Sequence, residues 1–188
     1  MRLAEFAGLE LITAPGLVMT PRATSVGLVD RALRHIGGRE AVVVDAGTGS
    51  GAIAIAIARA APHARVFATD VNADAVALAR RNAERYGVDV TVRHGDLLEP
   101  VSGPIDVVVA NLPYLPNDEG ALHPDLDEEP LTAVFAAGDG LDHYRRLSEA
   151  SADRLSPDGL LAVQLRGELL SFPAARLDLF DAVLERAA

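Results

Sequence analysis

The chain has 188 residues, of which 49% are hydrophobic, carries a formal charge of −10 and contains no cysteine. That length suits one domain with a sizeable core, and the missing thiols exclude disulfides, a cysteine nucleophile and Cys-ligated zinc. All 17 basic residues are arginines, so a Walker-type phosphate loop, a lysine Schiff base and a Tyr-Lys dehydrogenase couple are excluded as well.

In chain order, an irregular N-terminal segment is followed by a helix from Ser25 to Ile36, closed by Gly37-Gly38. Ala41–Ala46 is a β-branched run read as the first buried strand, Gly51–Ala60 a helix ended by Pro62, and Arg65–Thr69 a second strand. Asn72–Tyr86 reads as a helix with Asn72 as N-cap and Gly87 as its stop. Val88–Arg93 and Ile105–Ala110 supply the third and fourth strands. Leu141–Leu155 is helical, Pro157-Asp158-Gly159 a turn, Leu160–Leu165 a fifth strand and Ala174–Ala187 a last helix. Strands alternating with helices predict right-handed βαβ units in an α/β, Rossmann-like, doubly wound and mostly parallel sheet with helices on both faces. Residues 1–40 lead into a catalytic core at 41–188, a single domain overall.

The N-terminus lacks a signal peptide and no run of eighteen apolar residues occurs, so a cytoplasmic protein without a membrane segment is expected. The five histidines are scattered without metal-ligand spacing, and no metal is expected. Between Leu115 and Tyr144 lie eight acids (Asp118, Glu119, Asp125, Asp127, Glu128, Glu129, Asp139, Asp142) and no arginine. Such a surface repels phosphate backbones and favours a neutral or basic partner over nucleic acid. Each of these acids taken singly reads equally as part of a solvated face.

Asp45-Ala46-Gly47-Thr48-Gly49-Ser50-Gly51 follows the first strand and opens a helix. Its glycines permit close approach of a ligand, and the helix start offers unpaired N–H groups. Gly47-x-Gly49-x-x-Ala52 fits a dinucleotide fingerprint, with Asp70 near the distance for a ribose contact. Asp45, however, would repel a pyrophosphate and suits the ammonium and sulfonium of S-adenosylmethionine. Asp96, in Gly95-Asp96-Leu97 after the third strand, is placed to accept from an adenine amino group. The fourth strand ends in Asn111-Leu112-Pro113-Tyr114. There the carboxamide and a backbone carbonyl can each accept from a planar –NH2 group while an aromatic ring walls the pocket. A strand end followed by a proline turn is the plain structural reading of the same residues.

This tetrapeptide resembles the Asn-x-Pro-Tyr motif of amide and amino-group methyltransferases. Further segments widen the resemblance: Pro15-Gly16-Leu17-Val18, Thr20-Pro21-Arg22-x-Thr24, Ala68–Asn72, Glu129-Pro130, Gly138-Asp139-Gly140-Leu141 and Tyr144-Arg145. Together, over about Phe6 to Leu165, they resemble the protein-(glutamine N5) methyltransferases that modify peptide-chain release factors. The resemblance implies S-adenosyl-L-methionine as cofactor, S-adenosyl-L-homocysteine as product and a protein substrate, a release factor in the family. It implies that Asp45, Gly47 and Gly49 hold the methionyl end, Asp70 the ribose and Asp96 the adenine, with Thr48, Gly51, Val71 and Leu97 in the same methyl-donor site. Asn111, also at that site, with Pro113 and Tyr114, would form the catalytic acceptor pocket.

The chain departs from the family pattern. Leu112 replaces a proline, and Ser25 ends a segment that loses a carboxylate. The family's helical N-terminal domain is missing, and Arg166–Ala188 does not read as the usual final antiparallel pair. An open sheet edge that a second copy or a partner subunit covers is therefore expected, or else a shortened, inactive member. Alternative readings are an adenine-N6 or other amino-group methyltransferase, a non-catalytic scaffold that binds the methyl donor and, more distantly, a nicotinamide dehydrogenase. His94 and His123 are read as ordinary loop residues.

Overall fold

The structure, a computed structural model, describes residues 2–116, 129–136, 138–166 and 168–187. Its N-terminal segment is not irregular: β1 (Arg2–Phe6) pairs antiparallel with β2 (Leu9–Thr13). Ala7 and Gly8 at the turn have φ of 49° and 73°, the doubly positive geometry that matches strand twist in a tight hairpin. An Ala-Gly turn lacks the Asn or Asp that announces such a hairpin in sequence, hence the missed element.

Helix α1 (Val26–Ile36) follows a 3₁₀ turn at Ala23–Ser25 and ends on Gly37, whose positive φ lets its N–H reach Leu33 O. Next come β3 (Val42–Ala46), α2 (Ala52–Ala60), β4 (Arg65–Asp70), α3 (Ala73–Tyr86) and β5 (Val90–His94). As expected, Asn72 caps α3 by accepting from Asp74 N–H, and Gly87 closes it. Strand β6 (Ile105–Ala110) leads to a two-residue strand β7 (Leu115–Pro116), which pairs in parallel with β8 (Phe135–Ala136) just after the short helix α4 (Leu131–Val134). Of the acid-rich segment, Asp118, Glu119, Asp125, Asp127 and Glu128 lie outside the described residues, as does His123.

Helix α5 (Asp142–Arg154) runs directly into β9 (Leu155–Leu165). The predicted Pro157-Asp158-Gly159 turn lies inside this strand, where Leu155 pairs with Ile105 but Leu160 with Val107. The four residues between oppose Asp106 alone, and the turn thereby becomes a bulge. The C-terminal region corrects the expectation of a bare edge: β10 (Glu168–Pro173) pairs antiparallel with β9, and α6 (Leu177–Ala187) follows.

The main sheet has the order β10-β9-β6-β3-β4-β5, parallel except for β10. Side chains alternate across it. Val43, Val107, Val109 and Ala162 pack with α1, α2 and the hairpin residues Phe6, Leu9 and Leu11. Val44, Val108, Leu161 and Val163 pack with α5 and α6. The hairpin is bound through Asn82 of α3, fully buried, whose carboxamide takes Ile12 N–H (2.9 Å) and gives to Ile12 O (3.0 Å) and Ser50 O (2.9 Å). Each edge strand has a carbonyl occupied by an arginine, Leu169 O by Arg31 and Val92 O by Arg80. Pro173 further blunts β10 by lacking an N–H. No helix among the described residues is long and apolar enough to cross a membrane.

Candidate active site

The sheet order reverses between β3 and β6, and the crevice at the carboxyl ends of these strands is where open α/β sheets bind ligands. A cavity of about 340 Å³ lies there, within the range of small-molecule sites. Its wall combines Gly47 and Gly49 after β3, Asp70 and Val71 at the end of β4, Asp96 and Leu97 after β5, and Asn111 and Pro113 after β6. Four segments far apart in sequence thus meet at one cavity, whereas Asp45, Thr48, Gly51 and Tyr114 lie off this lining.

Asp45 lies beneath the glycine loop and is 1% exposed. One carboxylate oxygen accepts from Thr48 Oγ1 (2.6 Å) and Ala54 N–H (3.1 Å), tying β3 to the loop and to the first turn of α2. The other oxygen is buried without a hydrogen bond. Burial pushes the carboxyl pKa up to about 6, with the Thr48 and Ala54 bonds opposing that rise. Gly51 borders neither this cavity nor the smaller one beside it and packs against α3. Its φ is 83°, and a Cβ there would sit 3.1 Å from Ala79 of α3, so the glycine lets two helices approach. Thr48 lines a smaller adjoining cavity of about 70 Å³ with Thr20, Arg22, Ser25 and Asn111.

Asp70 accepts Gly49 N–H on one oxygen and Asn72 N–H on the other, both at 2.9 Å. It therefore joins the loop after β3 to the turn after β4 while keeping lone pairs for a ligand. Burial raises its pKa, against the hydrogen bonds that lower it. Asp96 is paired with Arg146 of α5, which shares the cavity wall. Leu97 adopts φ 42°, uncommon for a branched residue, and its carbonyl accepts from Thr69 Oγ1 at 2.7 Å.

Asn111 borders both cavities. Its Nδ2 donates to Ser25 Oγ at 3.0 Å. Leu112 is held by the buried Tyr144 of α5, whose hydroxyl accepts Leu112 N–H (3.0 Å) and lies 2.9 Å from Leu112 O and 2.5 Å from Gln164 O. A phenol has one proton for those two carbonyls. Gly47, at φ 71°, meets the Leu112 side chain so closely that a Cβ would approach its Cδ2 to 2.5 Å, and the two motifs are packed directly on one another. Tyr114 shapes the site through its backbone: Gly140 abuts its carbonyl, leaving no room for a Cβ. The Gly138–Leu141 block is itself folded by Asp139, which accepts from Leu141 N–H and Arg145. Arg145 holds the Asp139 pKa down at about 2.

Several residues were not singled out as site residues from sequence. Val18, Met19, His143 and Arg146 complete the cavity wall, and Ser25 and Gln164 stand behind Asn111. The Tyr144-Arg145 pair was a sequence signal, but its use as a backbone clamp was not. His94 contacts Val71 O at 2.9 Å and does not line the cavity.

The family model of the methyltransferase small domain matches residues 25–125. A release factor glutamine methyltransferase of Geobacter sulfurreducens is 43% identical over 164 residues, covering 86% of this chain and 57% of the relative. That of Gloeobacter violaceus is 42% identical over 170 residues, covering 86% and 58%. The chain thus spans under two thirds of the length of these curated relatives. Among solved structures, a methyltransferase of Pyrococcus furiosus has a TM-score of 0.63 at 22% identity, covering 96% of this chain and 76% of that one. The 16S rRNA N2 G1207 methyltransferase of T. thermophilus, solved with AdoMet and guanosine, has a TM-score of 0.62 at 20% identity, covering 86% and 40%. These likenesses carry the fold.

Proposed function

This chain belongs to the methyltransferase small domain family, and from that premise we propose that it methylates a planar amide nitrogen, that of a protein glutamine side chain, using S-adenosyl-L-methionine. The observation that carries the reading is Asn111 on the cavity wall: one N–H of its Nδ2 donates to Ser25 Oγ, and we assign its Oδ1 to the acceptor. The named relatives act on release factors, and a release factor is the acceptor proposed here, in the cytoplasm. The acidic charge of −10 favours such a protein over nucleic acid.

The residues present fit the methyl donor. Asp70 and Asp96 offer carboxylate oxygens on the cavity wall, to ribose hydroxyls and an adenine amino group respectively. Among the described residues only Thr48 and Ala54 bond the Asp45 carboxylate, and its unpartnered oxygen gives the loop a negative charge suited to a cationic methionyl end. The N–H groups at the start of α2 and Arg22 border the smaller cavity, where a carboxylate would be favoured. When bound, the methyl donor supplies an electrophilic methyl group.

The protein's contribution is to the nucleophile. An amide nitrogen attacks poorly because its lone pair is delocalised into the carbonyl. Asn111 Oδ1 and a main-chain carbonyl of the Leu112-Pro113 segment would accept its two N–H bonds. Both interactions strengthen as positive charge develops on nitrogen, so they act chiefly in the transition state. Fixing the nitrogen in line also removes entropic cost, on the order of several kcal/mol.

The test is methyl transfer from labelled methyl donor to a glutamine-bearing release factor. Asn111→Ala should abolish turnover while leaving methyl-donor affinity within about threefold, because it removes a contact made mainly in the transition state. Equal loss of both, or transfer to adenine in DNA instead of the protein, would overturn the reading.

A further inference from the structure

The carboxamide of Asn111 can face the acceptor in either of two orientations, and only one accepts from an –NH2 group. Asn111 Nδ2 donates to Ser25 Oγ (3.0 Å), Ser25 Oγ donates to Gln164 Oε1 (2.7 Å), and Gln164 Nε2 donates to Thr24 Oγ1 (3.1 Å). These groups come from the turn before α1, the end of β6 and the C-terminal end of β9, with 139 residues separating Ser25 from Gln164. Ser25 and Gln164 are each 4% exposed, so water does not readily replace either partner.

A serine hydroxyl has one proton. With that proton committed to Gln164 Oε1, Ser25 meets Asn111 only through its lone pairs and can receive only the –NH2 end. Rotating the Asn111 carboxamide by half a turn would set Oδ1 against those lone pairs and point –NH2 at the acceptor nitrogen. Gln164 is held at both levels: its backbone carbonyl accepts from Tyr144, the same side chain that clamps Leu112, and its carboxamide is oriented by Nε2 donating to Thr24 Oγ1. The chain of polarity therefore runs from Thr24 through Gln164 and Ser25 to Asn111.

We propose that Ser25 and Gln164 are positioning residues that fix the polarity of Asn111, making the site selective for an acceptor that presents two N–H bonds. A primary amide or amino nitrogen satisfies this, and a hydroxyl or a fully substituted nitrogen does not. The inference rests on the methyl-transfer reading above and deepens it: neither residue touches the acceptor, and both act through Asn111.

The experiment compares Ser25→Ala, Ser25→Thr, Gln164→Leu and Gln164→Glu in the full chain. It measures kcat for methyl transfer to the glutamine acceptor, methyl-donor affinity by calorimetry and unfolding by circular dichroism. Ser25→Ala should lower kcat by roughly 10- to 100-fold, the scale of one misdirected polar contact, with methyl-donor affinity and unfolding midpoint near wild type. Ser25→Thr keeps the hydroxyl and should restore kcat. Gln164→Leu should resemble Ser25→Ala. Ionised Gln164→Glu can only accept, which enforces the same polarity, and should retain kcat within about threefold. If Gln164→Glu binds the methyl donor but is as inactive as Gln164→Leu, the polarity runs the other way and the proposal fails. If the Gln164 variants do not fold, the Ser25 pair decides: wild-type kcat in Ser25→Ala overturns it. Absence of methyl transfer by the wild type would instead defeat the function on which the inference stands.

Discussion

Asp45 should make the fold less stable as pH rises from about 4 to 7, and Asp45→Asn should remove that dependence. The side chain is 1% exposed, with its pKa raised from 3.8 to about 6. Between those values the folded chain keeps a proton that the unfolded chain has released. The unfolded state then binds fewer protons, and stability falls as pH increases through the window. Above the folded pKa both states are ionised and the penalty is constant. A rise from 3.8 to about 6 corresponds to about 3 kcal/mol. The assay is urea unfolding of wild type and Asp45→Asn at pH values from 4 to 7.5, read by circular dichroism because the chain has no tryptophan. The asparagine leaves its –NH2 where one carboxylate oxygen is unpartnered, and that cost is independent of pH. The difference between the two proteins should therefore change by about 3 kcal/mol across the window in favour of Asp45→Asn at the upper end. Parallel curves would mean that Asp45 carries its charge in the fold without penalty, refuting the account of a desolvated carboxylate under the loop.

Tyr144→Phe removes a buried hydroxyl that serves Leu112 N–H and Gln164 O, and should destabilise the protein by about 1–3 kcal/mol in urea titrations while lowering kcat. Gly51→Ala combines a positive φ with a Cβ 3.1 Å from Ala79 and should cost more than about 1 kcal/mol, seen as a lower melting temperature. Arg146→Ala breaks a pair whose side chains are 43% and 27% exposed, so its unfolding free energy should change by no more than about 1 kcal/mol. Asp96→Ala, by contrast, should weaken methyl-donor binding by about tenfold or more in calorimetry, because a hydrogen bond to a charged acceptor is lost.

Local signals were legible where the chemistry is local. The valine runs of β3 and β6, the Asn72 cap and the Gly87 stop are each complete within a few residues and were read from them. The same holds for Asn111 at a strand end and for the glycine loop, of which Gly47 and Gly49 are on the cavity wall. What was not legible depends on pairing at a distance. Strand β10 consists of Glu168-Leu-Leu-Ser-Phe-Pro, with neither clean alternation nor a turn signature, and it exists because β9 offers an edge. Hairpin β1-β2 is likewise secured by Asn82, 70 residues from Ile12. The spacing shows that an acid precedes the glycines but not that its side chain lies beneath the loop, bonded to Thr48 and Ala54.

Leu112 shows how such long-range contacts make up for a local departure. Where the family motif has a second proline, a leucine gives up the ring that restricts φ, and the backbone after Asn111 should have more freedom. The structure supplies that restriction through space. Tyr144 receives the Leu112 N–H that a proline would lack, and Gly47 receives the leucine side chain in a contact that no Cβ could share. Because Tyr144 also bonds the Gln164 carbonyl, the Leu112 backbone and Gln164, whose side chain leads through Ser25 to Asn111, have a common anchor. The Leu112 substitution is therefore compatible with a rigid backbone after Asn111 only in a chain that keeps Tyr144, Gly47 and Gln164 together, and its effect depends on residues beyond the tetrapeptide.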